Sequence, residues 1–384
     1  MEIQKSFSEN KELYSYFIDY IECEKENADS SLSMFISNIE NQKIKENRRK
    51  LYLLFCLIVH VSNHHYRGTG FFSKIEKILD YLQSSIKQTF SNSELFEIIK
   101  TNKRILLYFF ENKKLTLDDE IVNYIDSKSD NYYDMYFLNE IQTVIGPEQT
   151  ERLKKKQLKK DPKFFTNFDE KRRIGANDSY LAVLIQDDLV EDFISQVTKT
   201  NISLNSYIEP SIFETNPFLL KHQKTSIIEY SCFYGSIQIF QYLKLNGVEL
   251  GPSLWNYAIH GNNADIIHAL EENKILPEND SYRQCLKKSM KCHHNNIARY
   301  IIDNKIGQEP DDVIINYSFR YFNFDFFSEE FNLNSIFLNA SLYNYIDIFE
   351  ILLKNKNIDI NKEGNILISK LLFLIAFLYS FCFI

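Results

Sequence analysis

SIIEYSCFYGSIQIFQYLKLNGVEL, residues 226–250, predicts two short helices joined by a turn at Gly235. Apolar residues recur at helical spacing on both sides of the glycine, and glycine readily takes the left-handed conformation that ends many helices. One such pair alone would leave its apolar face in contact with water, so pairs of this kind are stable only as stacks. The fold therefore depends on whether the pattern recurs along the chain.

The pattern recurs around small residues that lie 22 to 31 positions apart. When Ser231 is the reference, Ala or Ser occupies the equivalent position of every later copy, and the positions three before, eight after and nine after are apolar. The reference residues are Ser231, Ala258, Ser289, Ser318 and Ala340. Small residues let antiparallel helices approach closely, and large ones fill the space between copies. We expect all five references to be buried.

The position four residues after each reference is predicted to end the first helix in a left-handed conformation. The residues there are Gly235, Asn262, His293, Phe322 and Asn344. Glycine adopts this conformation freely, and Asn and His are enriched in it. Phe322 does not fit, and Glu329 and Glu330 fall where the copy should be apolar. The copy around Ser318 is therefore predicted to be irregular or misaligned.

Residues 1–150 are predicted to form an N-terminal helical domain, because apolar residues recur there at helical spacing without sustained alternation. Examples are Leu13, Phe17, Tyr20 and Ile21, and Ile75, Ile78, Leu79 and Leu82. The apolar run 51–61 is too short to span a bilayer and predicts a core helix. Gly146-Pro147 is a residue pair that interrupts helices. A basic linker is predicted over 151–177.

The predicted fold class is all-α, with repeats over residues 178–365 and an apolar segment at 366–384. The predicted units lie near residues 226–250, 253–275, 285–305, 314–331 and 335–361, with a possible cap at 179–197.

This repeated text resembles the ankyrin repeat, whose core reads T-P-L-H-x-A-A-x-x-G-H before an apolar second helix. SLWNYAIHGNNADIIHALEENKI and SIFLNASLYNYIDIFEILLKNKNIDIN carry the resemblance, which covers about residues 200–362. More narrowly, the chain resembles divergent ankyrin families of trichomonad-type protists, in which a helical domain of unknown function precedes the repeats. The copies are shorter than the usual ~33 residues and mostly lack the Thr-Pro and His that hold ankyrin turns together. A less rigid array is expected.

The resemblance implies a non-catalytic scaffold that binds partner proteins through a concave face of first helices and turns. The two residues before each turn are expected to point outward; they are Phe233 and Tyr234, His260 and Gly261, Lys291 and Cys292, Arg320 and Tyr321, Leu342 and Tyr343. Tyr and Arg are frequent interface anchors. The candidate partner-binding residues are Phe233, Tyr234, His260, Lys291, Arg320, Tyr321 and Tyr343. Alternatively, these residues cover a neighbouring helix or loop.

Metal and catalytic motifs are weak. Cys285 and the CHH run at 292–294 do not have zinc-ligand spacing, so the run is predicted to be a solvated turn. His60 and His64 lie four residues apart but lack the glutamate of H-E-x-x-H. A catalytic N-terminal domain, the least favoured alternative, would need a polar pocket near these two histidines and His65. We expect no enzyme activity, cofactor or metal.

Other candidate motifs also have simple structural interpretations. RGTG at residues 67–70 lacks the rest of a phosphate-binding loop and predicts a plain turn. The pairs Asp187-Asp188 and Asp311-Asp312 are adjacent in sequence and predict solvated faces or helix starts. The basic residues of 152–173 predict a solvated helix, or alternatively a nuclear-import signal or a contact with an acidic partner.

Charge and cysteine use predict a cytoplasmic protein. The net charge of −8 gives no reason to expect nucleic-acid binding, and the six scattered cysteines favour reduced thiols. Residues 366–384, ILISKLLFLIAFLYSFCFI, fit a tail anchor, a final helix over the last unit, or out-of-frame coding sequence. The alternative function is therefore a tail-anchored membrane protein that displays its repeats to the cytosol. Poor solubility of the full-length chain is expected.

Overall fold

The computed structural model describes residues 2–68, 70–222, 224–328 and 330–354. The regular elements of these residues are helices, and their one β feature is an isolated antiparallel bridge between Tyr207 and Ser226. The all-α prediction is confirmed for this part of the chain. The predictions on residues 366–384 concern a segment outside it.

Before the predicted repeats the chain forms helices joined by short turns. They are α1 (Glu2–Glu22), α2 (Ala28–Asn41), α3 (Arg48–His64), α4 (Phe71–Thr89), α5 (Asn92–Ile99), α6 (Lys103–Glu111), α7 (Asp119–Ser127), α8 (Tyr133–Tyr136), α9 (Leu138–Lys160) and α10 (Phe168–Ile174). α9 is broken at Gly146, whose φ of 82° is not helical, as the Gly146-Pro147 pair predicts. Most of the basic residues that follow are exposed along the second half of α9.

The later helices follow one another mostly as short pairs. They are α11 (Tyr180–Gln186), α12 (Val190–Thr200), α13 (Pro217–Lys221), α14 (Ile227–Tyr234), α15 (Ile237–Leu245), α16 (Leu254–Gly261), α17 (Ala264–Glu272), α18 (Tyr282–Cys292), α19 (Asn295–Ile301), α20 (Asp311–Tyr321), α21 (Leu333–Leu342) and α22 (Ile346–Leu353). α20 is followed by the 3-10 turn Phe324–Phe326, where a second α-helix was expected. The irregularity predicted for the copy around Ser318 is confirmed there.

The chain divides into two compact units. Unit 1 contains the described residues of Met1–His60 and Ser289–Ile384, and unit 2 contains those of Val61–Lys288. The boundaries of these units differ from the domain boundaries predicted at residues 150 and 178. The predicted domain boundaries remain a prediction from the sequence.

Unit 1 has a core in which the N-terminal helix packs on the last helix pairs. α1 contacts α2, α22 and the turn Phe324–Phe326, and α20 contacts α21, which contacts α22. Phe7 of α1 lies in the same buried cluster as Phe319, Phe337 and Phe349. The first and last described parts of the chain therefore share one hydrophobic core.

Unit 2 stacks its helix pairs in two rows. The first helices α11, α14 and α16 contact one another in order, and the second helices α12, α15 and α17 do the same. The stripe Ile75, Ile78, Leu79 and Leu82 of α4 is buried, as its helical spacing predicts. The possible cap at 179–197 is a helix pair of the same kind.

All five reference residues are buried, and each lies in the first helix of its copy. The apolar positions three residues before them are buried as well; they are Ile228, Trp255, Leu286, Ile315 and Phe337. Of the positions eight and nine residues after, Phe326 is the exception, because it lies in the 3-10 turn and is half-buried. The spacing of small and large residues therefore correctly predicts what the stack buries.

Every predicted turn residue has the left-handed conformation, including Phe322 with a φ of 58°. The expectation that Phe322 would not fit is wrong, because its ring packs against the unit 1 core, and this burial offsets the backbone strain. At four of the five references the carbonyl accepts a hydrogen bond from the backbone N–H five residues later, which closes the first helix. Those four carbonyls are at Ser231, Ser289, Ser318 and Ala340, at 2.9 to 3.0 Å. Leu184 of α11 accepts the same bond at 2.9 Å.

No helix among the described residues is long and apolar enough to cross a membrane. The run 51–61 lies in α3, and most of its residues are buried, as predicted for a core helix.

Candidate functional site

Side chains of successive copies join the turns to one another. In four copies, the residue after the left-handed one donates a side-chain hydrogen bond to a backbone carbonyl of the preceding copy. The pairs are Ser236 Oγ to Ile185 O, Asn263 Nδ2 to Gly235 O, Asn323 Nδ2 to Met290 O and Tyr345 Oη to Phe319 O. Asp188 adds a further link, because its carboxylate accepts from the N–H groups of Gln238 and Ile239 at 3.0 Å. These side chains thus link each of these turns to the helix pair before it.

The predicted contact residues of unit 2 do not all face solvent. Phe233 and His260 are buried, and both rings pack on Phe218 of α13, with centroids 5.8 Å and 4.3 Å away. Gly261 is buried between turns, and Tyr234 is half-buried. The expectation that these positions point outward is wrong for Phe233, His260 and Gly261, because α13 and the neighbouring turn cover them.

In unit 1 the equivalent positions, the two residues before each turn, are partly covered by α3. Cys292 and Tyr321 are buried, and the His60 ring stacks on Tyr321 at 5.7 Å. Nε2 of His60 lies 3.2 Å from the carbonyl oxygen of Lys291. Outward placement is therefore wrong for Cys292 and Tyr321. Lys291 is half-buried.

Arg320 and Tyr343 are two predicted contact residues of unit 1 whose side chains are not buried. Arg320 is exposed, Tyr343 is half-buried, and they lie on α20 and at the end of α21, which contact each other. The Tyr343 hydroxyl accepts from Asn316 Nδ2 at 3.1 Å, which fixes the ring against α20. Arg320 forms no ion pair with a described carboxylate, and its guanidinium lies 5.6 Å from the Tyr321 ring centre. Half-exposed Tyr317 stacks on Tyr321 at 5.9 Å. We call Tyr317, Arg320 and Tyr343 the Tyr-Arg surface.

The CHH run is buried, although a solvated turn was predicted. Helices far away in sequence cover it: Nδ1 of His293 lies 3.2 Å from the Tyr14 hydroxyl, which also accepts from Asn295 Nδ2 at 2.9 Å. The His60 ring meets His293 edge-on at 5.4 Å. Nowhere in the described chain do three or more His, Cys, Asp or Glu side chains form a group that could hold a metal ion. The cluster acts as polar packing inside unit 1.

Because of His60, the free energy of unfolding is expected to fall in mild acid. Burial, helped by the Lys291 charge, lowers the pKa of His60 from 6.5 to about 3. Between these values the unfolded chain binds a proton that the folded chain does not, so stability falls as pH falls. From pH 7 to pH 5 this group should remove about 2 kcal/mol. Urea unfolding followed by circular dichroism at both pH values measures the loss.

His60→Gln is the matched variant, because it keeps a polar side chain without the titration. Its loss of stability between pH 7 and pH 5 should be smaller than the wild-type loss by that amount. Equal losses in both proteins would show that folding does not lower the pKa of His60.

A buried lysine in unit 2 was not identified from the sequence. Lys103 begins α6, and its Nζ donates to the carbonyl oxygens of Asn131, Ile212 and Glu214 at 3.0, 3.1 and 3.1 Å. The rings of two tyrosines, 133 and 136, lie 5.2 Å and 4.6 Å from it. Lys103 therefore holds the loop before α13 against the N-terminal helices of unit 2.

A second cation, Arg67, was also not identified from the sequence, because RGTG predicts a plain turn. Its guanidinium is directed inward, donating to Ser62 O at 2.9 Å and to Thr215 Oγ1 at 2.8 Å. With half-buried Tyr66 and buried His65 it lines a cavity of about 790 Å³ in unit 2. The one signal in the sequence is an arginine between an apolar helix and a glycine, which is too common to predict burial.

Over the residues that the structure describes, these features define an all-helical architecture with recurring helix pairs closed by one kind of turn. No protein-family model, no curated protein and no solved structure matches the chain.

Proposed function

We propose that the chain is a non-catalytic adaptor of the cytoplasm, built on divergent ankyrin-type repeats, that binds partner proteins. The observation that carries the proposal is the recurring turn, with a buried small residue whose carbonyl receives the bond that ends the helix. Stacks of such pairs offer extended surfaces and form binding scaffolds in repeat proteins. Buried free thiols among the described cysteines fit a reducing compartment.

The Tyr-Arg surface is the best candidate for partner contact. Arginine and tyrosine are the side chains that most often dominate interface energies, and here they lie on neighbouring first helices. Because Arg320 lacks a described carboxylate partner, a protein that offers an acidic side chain beside an apolar contact fits the surface. Of the other candidate residues, Phe233, His260 and Tyr321 are buried, and Tyr234 and Lys291 are half-buried.

Replacing Arg320 and Tyr343 together with alanine is expected to weaken partner binding at least tenfold, because each hot-spot side chain is worth about 2 kcal/mol or more. Arg320 is exposed and Tyr343 is half-buried, so the helices should remain and circular dichroism should not change. The measurement is affinity capture from cells with the wild-type and double-variant chains, followed by titration of the recovered partner.

Asn296→Ala is the matched control, since Asn296 is exposed on α19, a second helix of unit 1. It should bind as the wild type does. Full binding by the double variant would exclude the Tyr-Arg surface as the contact.

A further inference from the structure

The cavity beside Arg67 has the size and walls of a small-molecule site. Its volume of about 790 Å³ lies within the range of ligand pockets, roughly 300–1,000 Å³. Its lining combines aromatic side chains from the segment after α3 and from the ends of α14 and α16 with charged side chains of both signs: Arg67, Arg104, Arg173, Glu76, Glu170 and Asp187. Aromatic walls with charges that orient a ligand are typical of binding sites.

Arg67 supplies a charge that no described carboxylate neutralises by contact. Its hydrogen bonds to described residues all go to uncharged oxygens. The acceptors are the carbonyl of Ser62 and the hydroxyl and carbonyl of Thr215. Burial lowers the pKa of Arg67, although the Glu214 charge acts in the opposite direction. Glu214 directs one oxygen to the N–H groups of Thr215 and Asn216 and forms no ion pair with Arg67. Arg67 is half-buried, and a partly desolvated guanidinium is stabilised when an anion contacts it.

The neighbouring arginine does not share this property. Arg104 is paired with Glu76, and its Nε donates to the carbonyl of Arg173 at 2.6 Å. Both guanidiniums lie near the Phe72 ring, Arg67 at 4.8 Å and Arg104 at 5.4 Å from its centre. Arg67 therefore remains without an ion pair to a described carboxylate, and its guanidinium packs on the Phe72 ring.

The ends of α14 and α16 add aromatic rings to the lining. Phe233 and His260 stand with ring centres 5.3 Å apart, and Tyr234 packs on Phe233 at 5.1 Å. Burial raises the pKa of Tyr234, so its hydroxyl stays protonated and can donate a hydrogen bond. Aromatic side chains around a cavity favour a flat ring, which they contact through offset or edge-on packing.

We infer that this cavity binds a small aromatic anion, with its phosphate or carboxylate on the Arg67 guanidinium and its ring among Phe233, Tyr234 and His260. One N–H of Nη1 has no acceptor among the described residues, so the guanidinium can donate a charge-assisted hydrogen bond to either anionic group. The site is independent of the Tyr-Arg surface, which lies in unit 1.

Phenyl phosphate, benzoate and the uncharged benzyl alcohol test the inference on the full chain. Saturation-transfer NMR with titration should show both anions binding at least tenfold more tightly than the alcohol, because a charge-assisted hydrogen bond is lost with the alcohol. The stronger of the two anions identifies the natural group as a phosphate or a carboxylate. Equal affinities for the alcohol and the anions would overturn the inference, and so would the absence of any binding.

Two variants separate a ligand role of Arg67 from a purely structural bridge. Arg67→Met, with its fold checked by Trp255 fluorescence, should reduce anion binding at least tenfold and leave benzyl alcohol unchanged. Ala176 lines the cavity, so Ala176→Trp fills part of it with Arg67 in place and should abolish binding of all three compounds. Wild-type anion affinity in folded Arg67→Met would overturn the inference. If Arg67→Met does not fold, anion binding retained by Ala176→Trp overturns it and anion binding lost supports it.

Discussion

Replacing Gly261 with alanine is expected to lower the free energy of unfolding of unit 2 by about 3 kcal/mol or more. A Cβ atom there would lie 2.1 Å from the carbonyl oxygen of Cys232 and 2.9 Å from the backbone nitrogen of Gly235. Both obstacles are backbone atoms, so no side chain can rotate away. The ends of α14 and α16 would have to separate, which breaks the seam on which the stack depends.

The chain has a single tryptophan, Trp255, which is buried in α16 close to this seam. Its fluorescence during urea unfolding therefore reports on the unit that is changed. Gly251→Ala is the control, because a Cβ there meets only the Ser253 hydroxyl, at 4.0 Å. We expect the control to unfold within about 0.5 kcal/mol of wild type. Equal stability of the two variants would show that the helices are not held in close contact.

Replacing Lys103 with methionine is expected to cost unit 2 about 3 kcal/mol at pH 7. The change removes the donor that three buried carbonyl groups share, and each buried carbonyl without a donor costs about 1–3 kcal/mol. The relief of burying a charge offsets part of this sum. Lys87→Met is the matched control, since Lys87 is exposed on α4. Trp255 fluorescence during urea unfolding is again the measurement.

The loss of stability caused by Lys103→Met should also depend on pH. Burial lowers the pKa of Lys103 from 10.5 to about 7. Between these values the unfolded chain binds more protons than the folded chain, so the stability of the wild type rises with pH. The variant lacks this gain, and its deficit should be about 2 kcal/mol larger at pH 9 than at pH 7. A deficit that does not change with pH would show that the carbonyl cage keeps the ammonium protonated. A more stable variant would show that burying the charge outweighs the three hydrogen bonds.

The helix pairs could be read from residues near one another in the chain. Ser231 and Ala258 are buried, and Gly235 and Asn262 end their helices in the left-handed conformation. Such features depend on a few neighbouring positions, so spacing alone reveals them. Residue types do not reveal the predicted cap at 179–197 in the same way. Leu184 lies at the reference position and Asp188 at the turn position, although neither is a residue type expected there.

The candidate sites were predicted less well than the fold. Outward placement was expected for Phe233, His260 and Tyr321 and is wrong for all three, whereas Arg320 is exposed. Arg67 was assigned to a plain turn. Repeat positions that are equivalent in sequence differ in exposure because each meets a different covering element.

The sequence by itself determined the secondary structure of the repeated copies, their turn conformations and the residues that face the seams. Only the tertiary structure decided that α3 covers Tyr321, that α13 covers His260, and that Arg67 turns inward. The physical reason is that helix formation and turn geometry depend on local sequence. Burial of a surface depends on the element that packs on it, and that element can come from hundreds of residues away, where no periodicity indicates the contact.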